Sequence, residues 1–411
     1  MNSDRSTASP QAGPRTGLWL VGARGAISTC VAYGLIGLRE GWVEPVGICT
    51  EMEPLSRLPF APFDSFVLGG HDVCRRDLST SAGELVAAGI LPADLVTGAA
   101  SEAAAFESRI RPGLLDQAEV GFSDLDPRSA ELGALPPREQ IAALQADWDE
   151  FERENGIERT VVVYVASTEA AWTPSPDWDE LGAFETALDA GRSIPASMLY
   201  AYAALASGRP LVNFTPCLGA TPRALRELAL EKGVPHCGND GKTGETLVKT
   251  VLAPMFRGRA LKVLAWQGYN MLGNRDGEVL KDPSHKAAKV RHKDDVLKDL
   301  LGDEGTHSKV GIDYVPSLGD WKTAWDFIHF EGFLGARMSM QFTWEGCDSA
   351  LAAPLIVDLA RLAAFAAERG ERGDMTHTAA FFKAPLAGGT HDFHAQLVAL
   401  YEYANLHESK R

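Results

Sequence analysis

Cysteine is scarce in this chain of 411 residues: Cys30, Cys49, Cys74, Cys217, Cys237 and Cys347 are scattered, with no metal-type spacing. Six dispersed thiols in a chain this long read as reduced side chains rather than as a disulfide framework. An excess of positive charge is missing as well. Asp and Glu number 55 against 39 Lys and Arg, a net charge of −16, which argues against nucleic acid or an anionic membrane as the main partner. No uninterrupted apolar run approaches the roughly 18 residues needed to cross a bilayer. The opening stretch MNSDRSTASPQAGPRTG lacks the apolar core of a signal peptide, and residues 1–16 read as a disordered tail. A soluble, cytoplasmic protein is expected. Neither G-x-S-x-G nor H-E-x-x-H occurs, so nucleophilic hydrolysis and zinc peptidase chemistry have no support.

What is present is the composition of an ordinary globular protein, 45% hydrophobic and 23% charged, long enough for about two compact units. Leu18–Val21 is a short apolar run entering the turn Gly22-Ala23-Arg24-Gly25, after which Ile27, Val31, Leu35 and Leu38 recur at helical spacing. A second run at Val46–Cys49 would complete the opening of a βαβ unit. Ile141, Leu144, Trp148 and Phe151 form a helix face closed by Gly156. TVVVYVAST (Thr160–Thr168) reads as a buried strand, SIPASMLYAYAALASG as a helix and PLVNFTP as the next strand. TPRALRELALEKG has Thr221 as N-cap, Pro222 at the first helical position and Gly233 at the end. Such alternation predicts a parallel, doubly wound Rossmann-like sheet. Past residue 244 the alternation stops, and LKVLAWQGYN, IDYVPSL and ARMSMQFTW suggest a second, α+β domain. SALAAPLIVDLARLAAFAAERG then reads as one long helix.

Three stretches carry candidate chemistry. The loop Gly22, Ala23, Arg24, Gly25, Ala26, Ile27, Ser28 departs from G-x-G-x-x-G, so on spacing alone it is either a dinucleotide turn or an ordinary βα turn. Glu51 follows the second run, late for a ribose contact. CGNDGKTGETLVKT places Asp240, Lys242 and Thr243 among small residues before a helix, where N–H groups, a hydroxyl and an ammonium converge on an anion. A simple capped turn is the plainer alternative. SHKAAKVRHKDD aligns Lys286, Lys289 and Lys293 on one helix face, where like charges repel. A solvated face is the plain account, and an anionic substrate the other. Lys383 follows two phenylalanines, an awkward place for an ammonium unless an anion is near.

Together GNDGKTGETLVKTVLAPMF, GYNMLGNRDGEVL, SLGDWKTAWDF and CDSALAAPLIVDL, with DSFVLGGHD, VASTEA and NFTP, resemble the inositol-3-phosphate synthase family, most closely its archaeal-type branch. The resemblance runs from about Leu18 onward. It implies an NAD-binding Rossmann-like domain (17–243), a catalytic and tetramerisation domain (244–353) and a C-terminal segment (354–411) returning to the first. It implies a homotetramer that cyclises glucose 6-phosphate to an inositol phosphate without net redox. In that chemistry carbon 5 is oxidised, the enolate closes in an aldol step, and the ketone is reduced again. By the same resemblance Lys289, Lys293, Lys322 and Lys383 are catalytic, with Asp240, Asp320 and Asp348 as acidic partners; Lys286 is not matched. The glycine loop, Asp72, Thr168, Asp240, Thr243 and Asp276 fall on cofactor-contacting stretches. Lys242, Thr243, Gly244, Asn270 and Lys293 fall on substrate-binding ones, and a divalent or monovalent cation is a further implied cofactor. Gly268 stands where many members carry Ser. A relative closing fructose 6-phosphate to a five-membered ring would keep the same lysines, whereas a plain sugar-phosphate dehydrogenase would release NADH.

Overall fold

Alternate side chains of one strand feed two different cores, because successive residues point to opposite faces of a sheet. In β1 (Arg15–Val21), Leu18 and Leu20 enter one cluster with Val31, Leu35 and Ile356, while Trp19 and Val21 enter another with Leu144 and Trp148. Such double burial is the mark of a parallel sheet covered by helices on both sides. The remaining strands of this sheet are β2 (Phe66–Asp72), β3 (Ile110–Pro112), β4 (Ile157–Tyr164), β5 (Leu211–Asn213), β6 (Pro235–Cys237) and β11 (Gly373–Asp374), in the order β11-β6-β5-β4-β1-β2-β3. Every pairing is parallel. The computed structural model describes residues 14–115, 124–170, 172–273, 297, 300–302, 305–386 and 388–408.

Helix Ala26–Glu40 and the long helix Asp348–Glu368 cover one face; Pro137–Asn155 and Ala196–Ala206 cover the other. The face of Pro137–Asn155 is the expected one, and Gly156 ends it in the left-handed conformation at φ 61°. Two local expectations are corrected. Val46–Cys49 is not a strand: Val46 is 85% exposed, and the second strand is Phe66–Asp72. A short apolar run without burial partners has nothing to pair with. The helix at Arg223 begins one residue later than expected, with Pro222 at its N-cap, because the Thr221 hydroxyl meets the Asn239 amide instead. Asp348–Glu368, the long helix expected from SALAAPLIVDLARLAAFAAERG, also has the length and composition to cross a bilayer, but its most apolar stretch is 72% buried inside the fold. It runs across residue 353 and packs on β4, β5 and β6.

The second sheet has the order β10-β9-β7-β8, from β7 (Lys262–Leu272), β8 (His307–Tyr314), β9 (Trp321–Glu331) and β10 (Arg337–Cys347). β7 runs parallel to β8 and antiparallel to β9, which pairs antiparallel with β10. Helix Glu245–Gly258 packs Ala253 and Phe256 against Val263, Trp266 and Ile328 on its inner face.

Candidate active site

A cleft of about 1250 Å³ opens where the carboxyl ends of the parallel strands meet the ends of β7 and β8 and the start of β9. Crevices at this edge are where open parallel sheets bind ligands. On the first side the turn after β1 is shaped by Gly22, at φ +96°, where a Cβ would lie 3.0 Å from the Ala166 Cα. The N–H groups of Gly22 and Ala23 donate to the His71 carbonyl, and Ser28 Oγ closes the turn on the Gly22 carbonyl at 2.8 Å. Helix Ala26–Glu40 then starts with no side-chain cap, so its first N–H groups and positive dipole end face the cleft unused by the protein. That is the cradle a pyrophosphate requires, so the residues present fit a dinucleotide.

Gly22, Arg24, Gly25, Ala26, Ile27, Asp72 and Thr168 line this part of the cleft. Ala23 and Ser28 are fully buried behind it. The Asp72 carboxylate accepts from Arg24 N at 2.7 Å and Cys74 N at 2.9 Å. Burial raises its pKa against these bonds. The Arg24 guanidinium is committed to Glu107 at 2.5 Å and the Cys74 carbonyl at 2.9 Å, leaving its backbone rather than its charge for a ligand. Glu51 lies elsewhere, held by Arg361 at 2.6 Å.

The other side is built from lysine–carboxylate pairs. Lys383 Nζ donates to Asp240 Oδ1 at 2.8 Å. Burial alone would lower the Lys383 pKa, but Asp240, then Asp348 and Glu245, raise it above the ordinary value and keep the ammonium charged. Asp240 has φ 60°, a left-handed conformation costing a non-glycine residue of order 1 kcal/mol. Two backbone bonds hold it there, from its own N–H to Thr215 O and from Lys383 N–H to its carbonyl. Lys322 Nζ lies 3.5 Å from Asp348 Oδ2, and Thr243 Oγ1 donates to Asp348 Oδ1 at 2.9 Å. Asp320 accepts from Cys347 Sγ at 3.1 Å and from the Ser349 hydroxyl. Asp240, Thr243, Asp320, Lys322, Asp348 and Lys383 all line the cleft.

Three expected substrate contacts sit off its wall. Lys242 is buried, its ammonium donating to Gln396 Oε1 at 2.6 Å, and burial with neighbouring Lys383 lowers its pKa to about 7. Asn270 is buried on β7, and Gly244 begins helix Glu245–Gly258 against the Trp344 ring. Asp276, Lys286, Lys289 and Lys293 lie outside the described residues. The sequence reading missed Thr246 in the cleft wall and the orienting pair Cys347 and Ser349. The last two flank Asp348 within CDSAL, so the motif already held the signal.

An uncapped glycine turn on a parallel sheet, in one cleft with the ion-paired Lys383 and with Lys322 of a second sheet, defines an enzyme of the Rossmann-like dinucleotide class. The family described as Myo-inositol-1-phosphate synthase matches residues 244–349. The chain is 33% identical to Inositol-3-phosphate synthase 1 of Bacteroides thetaiotaomicron over 404 residues, covering 93% of this chain and 91% of that protein. It is 29% identical to the inositol-3-phosphate synthase of Spirodela polyrhiza, covering 85% of this chain and 74% of that protein. In fold it matches the Caenorhabditis elegans inositol-3-phosphate synthase with a TM-score of 0.83 at 21% identity, over 97% of this chain and 86% of that one. The chain belongs to the inositol-3-phosphate synthase family.

Proposed function

We propose that this chain cyclises glucose 6-phosphate to 1D-myo-inositol 3-phosphate, with NAD bound at the glycine turn and no net redox change. The observation that carries the proposal is the meeting, in one cleft, of an uncapped dinucleotide turn with Lys322 and Lys383, each beside a carboxylate. NAD supplies a reversible hydride acceptor there. The turn from Gly22 to Ser28, with Asp72, Thr168, Thr243 and Asp276, holds it. Lys289, Lys293, Lys322 and Lys383 stabilise the enolate and the aldol alkoxide, because fixed ammonium groups in a water-poor site need no reorganisation as charge develops. Asp240, Asp320 and Asp348 keep these cations charged and in place. Thr243 and Lys293 contact the sugar phosphate, Gly244, Asn270 and Lys242 back the wall behind them, and a divalent or monovalent cation serves the acidic side.

The working enzyme is a cytoplasmic homotetramer built through residues 244–353, with 17–243 and 354–411 forming the NAD-binding part. Protein stripped of NAD and then given a catalytic amount should convert glucose 6-phosphate to an inositol phosphate identified by NMR. NADH accumulating in proportion to sugar consumed would instead mark a dehydrogenase. A five-membered carbocycle from fructose 6-phosphate, run in parallel, would assign the other ring closure.

A further inference from the structure

Strand β2 ends in Gly69-Gly70-His71-Asp72, the part of DSFVLGGHD that the chemistry of the cleft leaves unexplained beyond Asp72. The His71 side chain has no exposed surface and is held from two sides. Trp19 Nε1, on the neighbouring strand β1, lies 2.9 Å from its Nδ1, and Asp147 Oδ2, on helix Pro137–Asn155, lies 3.0 Å from its Nε2. The rings of Trp19, Tyr200 and Trp148 pack around it at centroid distances of 4.8, 5.5 and 6.3 Å. An indole N–H can only donate, so Nδ1 accepts and carries no proton. The proton of the neutral ring therefore sits on Nε2 and is donated to Asp147. Burial and the charge of Arg111 lower the His71 pKa, and Asp147 opposes them only in part, which agrees with a ring that stays neutral.

What the ring braces is the glycine turn. Three successive N–H groups of that turn end on residues 71 and 72. Gly22 and Ala23 donate to the His71 carbonyl at 2.9 and 3.0 Å, and Arg24 donates to Asp72 Oδ2 at 2.7 Å. With those three turned toward β2, the N–H groups at the start of helix Ala26–Glu40 are left for a ligand. The two glycines make the approach possible. A Cβ on Gly70 would lie 2.6 Å from that of Ala23, and one on Gly69 would lie 2.7 Å from the Trp19 ring. Larger residues there would push away the turn and the indole.

We propose that Trp19, His71 and Asp147 form a positioning brace for the dinucleotide: the neutral imidazole, held on both nitrogens, fixes the end of β2, and β2 in turn fixes the glycine turn whose helix receives the pyrophosphate. This rests on the reading of that turn as an NAD site. A turn already set in its binding geometry spends less free energy on ordering when the ligand arrives. Asp147 does not line the cleft, so a change there reaches the cofactor only through the His71 ring.

Asp147→Ala takes the acceptor from the Nε2 proton and frees the ring to turn. Calorimetric titration of the full chain with NAD should show binding about fivefold weaker, the scale of one hydrogen bond, with kcat at saturating NAD retained. Asp147→Asn keeps an acceptor oxygen in the same place and should bind NAD nearly as wild type does. His71→Phe removes both ring bonds while keeping an aromatic ring, and should weaken NAD about tenfold or more. A bond that served the fold alone would lower the melting temperature and leave the affinity of the folded protein unchanged, so a wild-type Kd in Asp147→Ala overturns the brace. Asp147→Asn binding as weakly as Asp147→Ala would mean that the charge of Asp147 matters, as it would to an imidazolium, and overturns the neutral ring. Should His71→Phe fail to fold, the two Asp147 variants still decide. Wild type that binds no NAD at all removes the dinucleotide reading itself, a result distinct from wild type and Asp147→Ala binding equally well.

Discussion

Two phenylalanines would make a hostile neighbourhood for Lys383 were it not for Asp240, 2.8 Å from its ammonium. Under the proposed function, the same logic of a cation placed where an anion will appear extends to the lysines of SHKAAKVRHKDD. Replacing Lys289 or Lys293 with Ala removes a donor to developing negative charge, expected to cost roughly 3–4 kcal/mol, or about 100–1000-fold in kcat. Lys286→Ala should leave kcat near wild type, and none of the three should lower the melting temperature by more than a degree or two, since like-charge repulsion is relieved. Equal, near-wild-type turnover in all three would return that face to solvent. Gly22→Ala acts on the other ligand. At φ +96°, with Ala166 in the way, the substitution should cost about 1–3 kcal/mol of stability and weaken NAD binding more than tenfold. Calorimetric titration with NAD reads the second effect directly.

Among the elements, helix Phe393–Glu408 is held to the short helical segment Thr376–Phe381 by a stack of rings. His377 lies 3.6 Å from the Tyr403 ring, nearly parallel to it, and Tyr403 donates to Glu371 at 2.9 Å. Burial, helped by His407, lowers the His377 pKa to about 3. A histidine depressed on folding contributes stability above its unfolded pKa, and loses it as pH falls from about 6.5 toward 3. His377→Phe keeps an aromatic stack without the titration. Its stability relative to wild type should therefore rise on acidification, by up to about 2 kcal/mol between pH 7.5 and 5. Denaturant unfolding at the two pH values measures this. A gap independent of pH would mean His377 is solvated or unfolds with the helix before it titrates.

On the scale of the whole molecule, the outer face of the four-stranded sheet carries a row of aromatic rings that is exposed among the described residues. Tyr269, Trp321 and Trp325 are each about 40% exposed, and the Trp325 and Phe327 rings stack at 6.4 Å. Patches of this kind on a folded protein mark an interface, and the proposed tetramer would cover it. Light scattering at micromolar concentration should give four chains, and Trp325→Asp should shift the mass toward smaller species while NAD binding survives. A monodisperse wild-type monomer removes the tetramer from the proposal.

Long periodic features were legible in the sequence because they depend only on neighbours along the chain. The helices at Pro137–Asn155 and Asp348–Glu368, the parallel character of the first sheet and the family motifs all belong here. Val46–Cys49 misled because an apolar run becomes a strand only if another strand lies beside it, and none does. β9 was hidden for the opposite reason. WKTAWDFIHFE carries charge and aromatic rings on a face that only its neighbours β7 and β10 explain. In the site, sequence could nominate Lys322, Lys383, Asp240, Asp320 and Asp348, but not their pairing. Lys383 joins Asp240 across 143 residues of chain, and Thr243 joins Asp348 across 105. Residue type and local spacing settled which groups this protein has for handling negative charge. Which carboxylate faces which lysine, and that Lys242 turns away to Gln396, was decided only when distant segments were packed together, since Coulomb energy and desolvation depend on distance through space rather than along the chain.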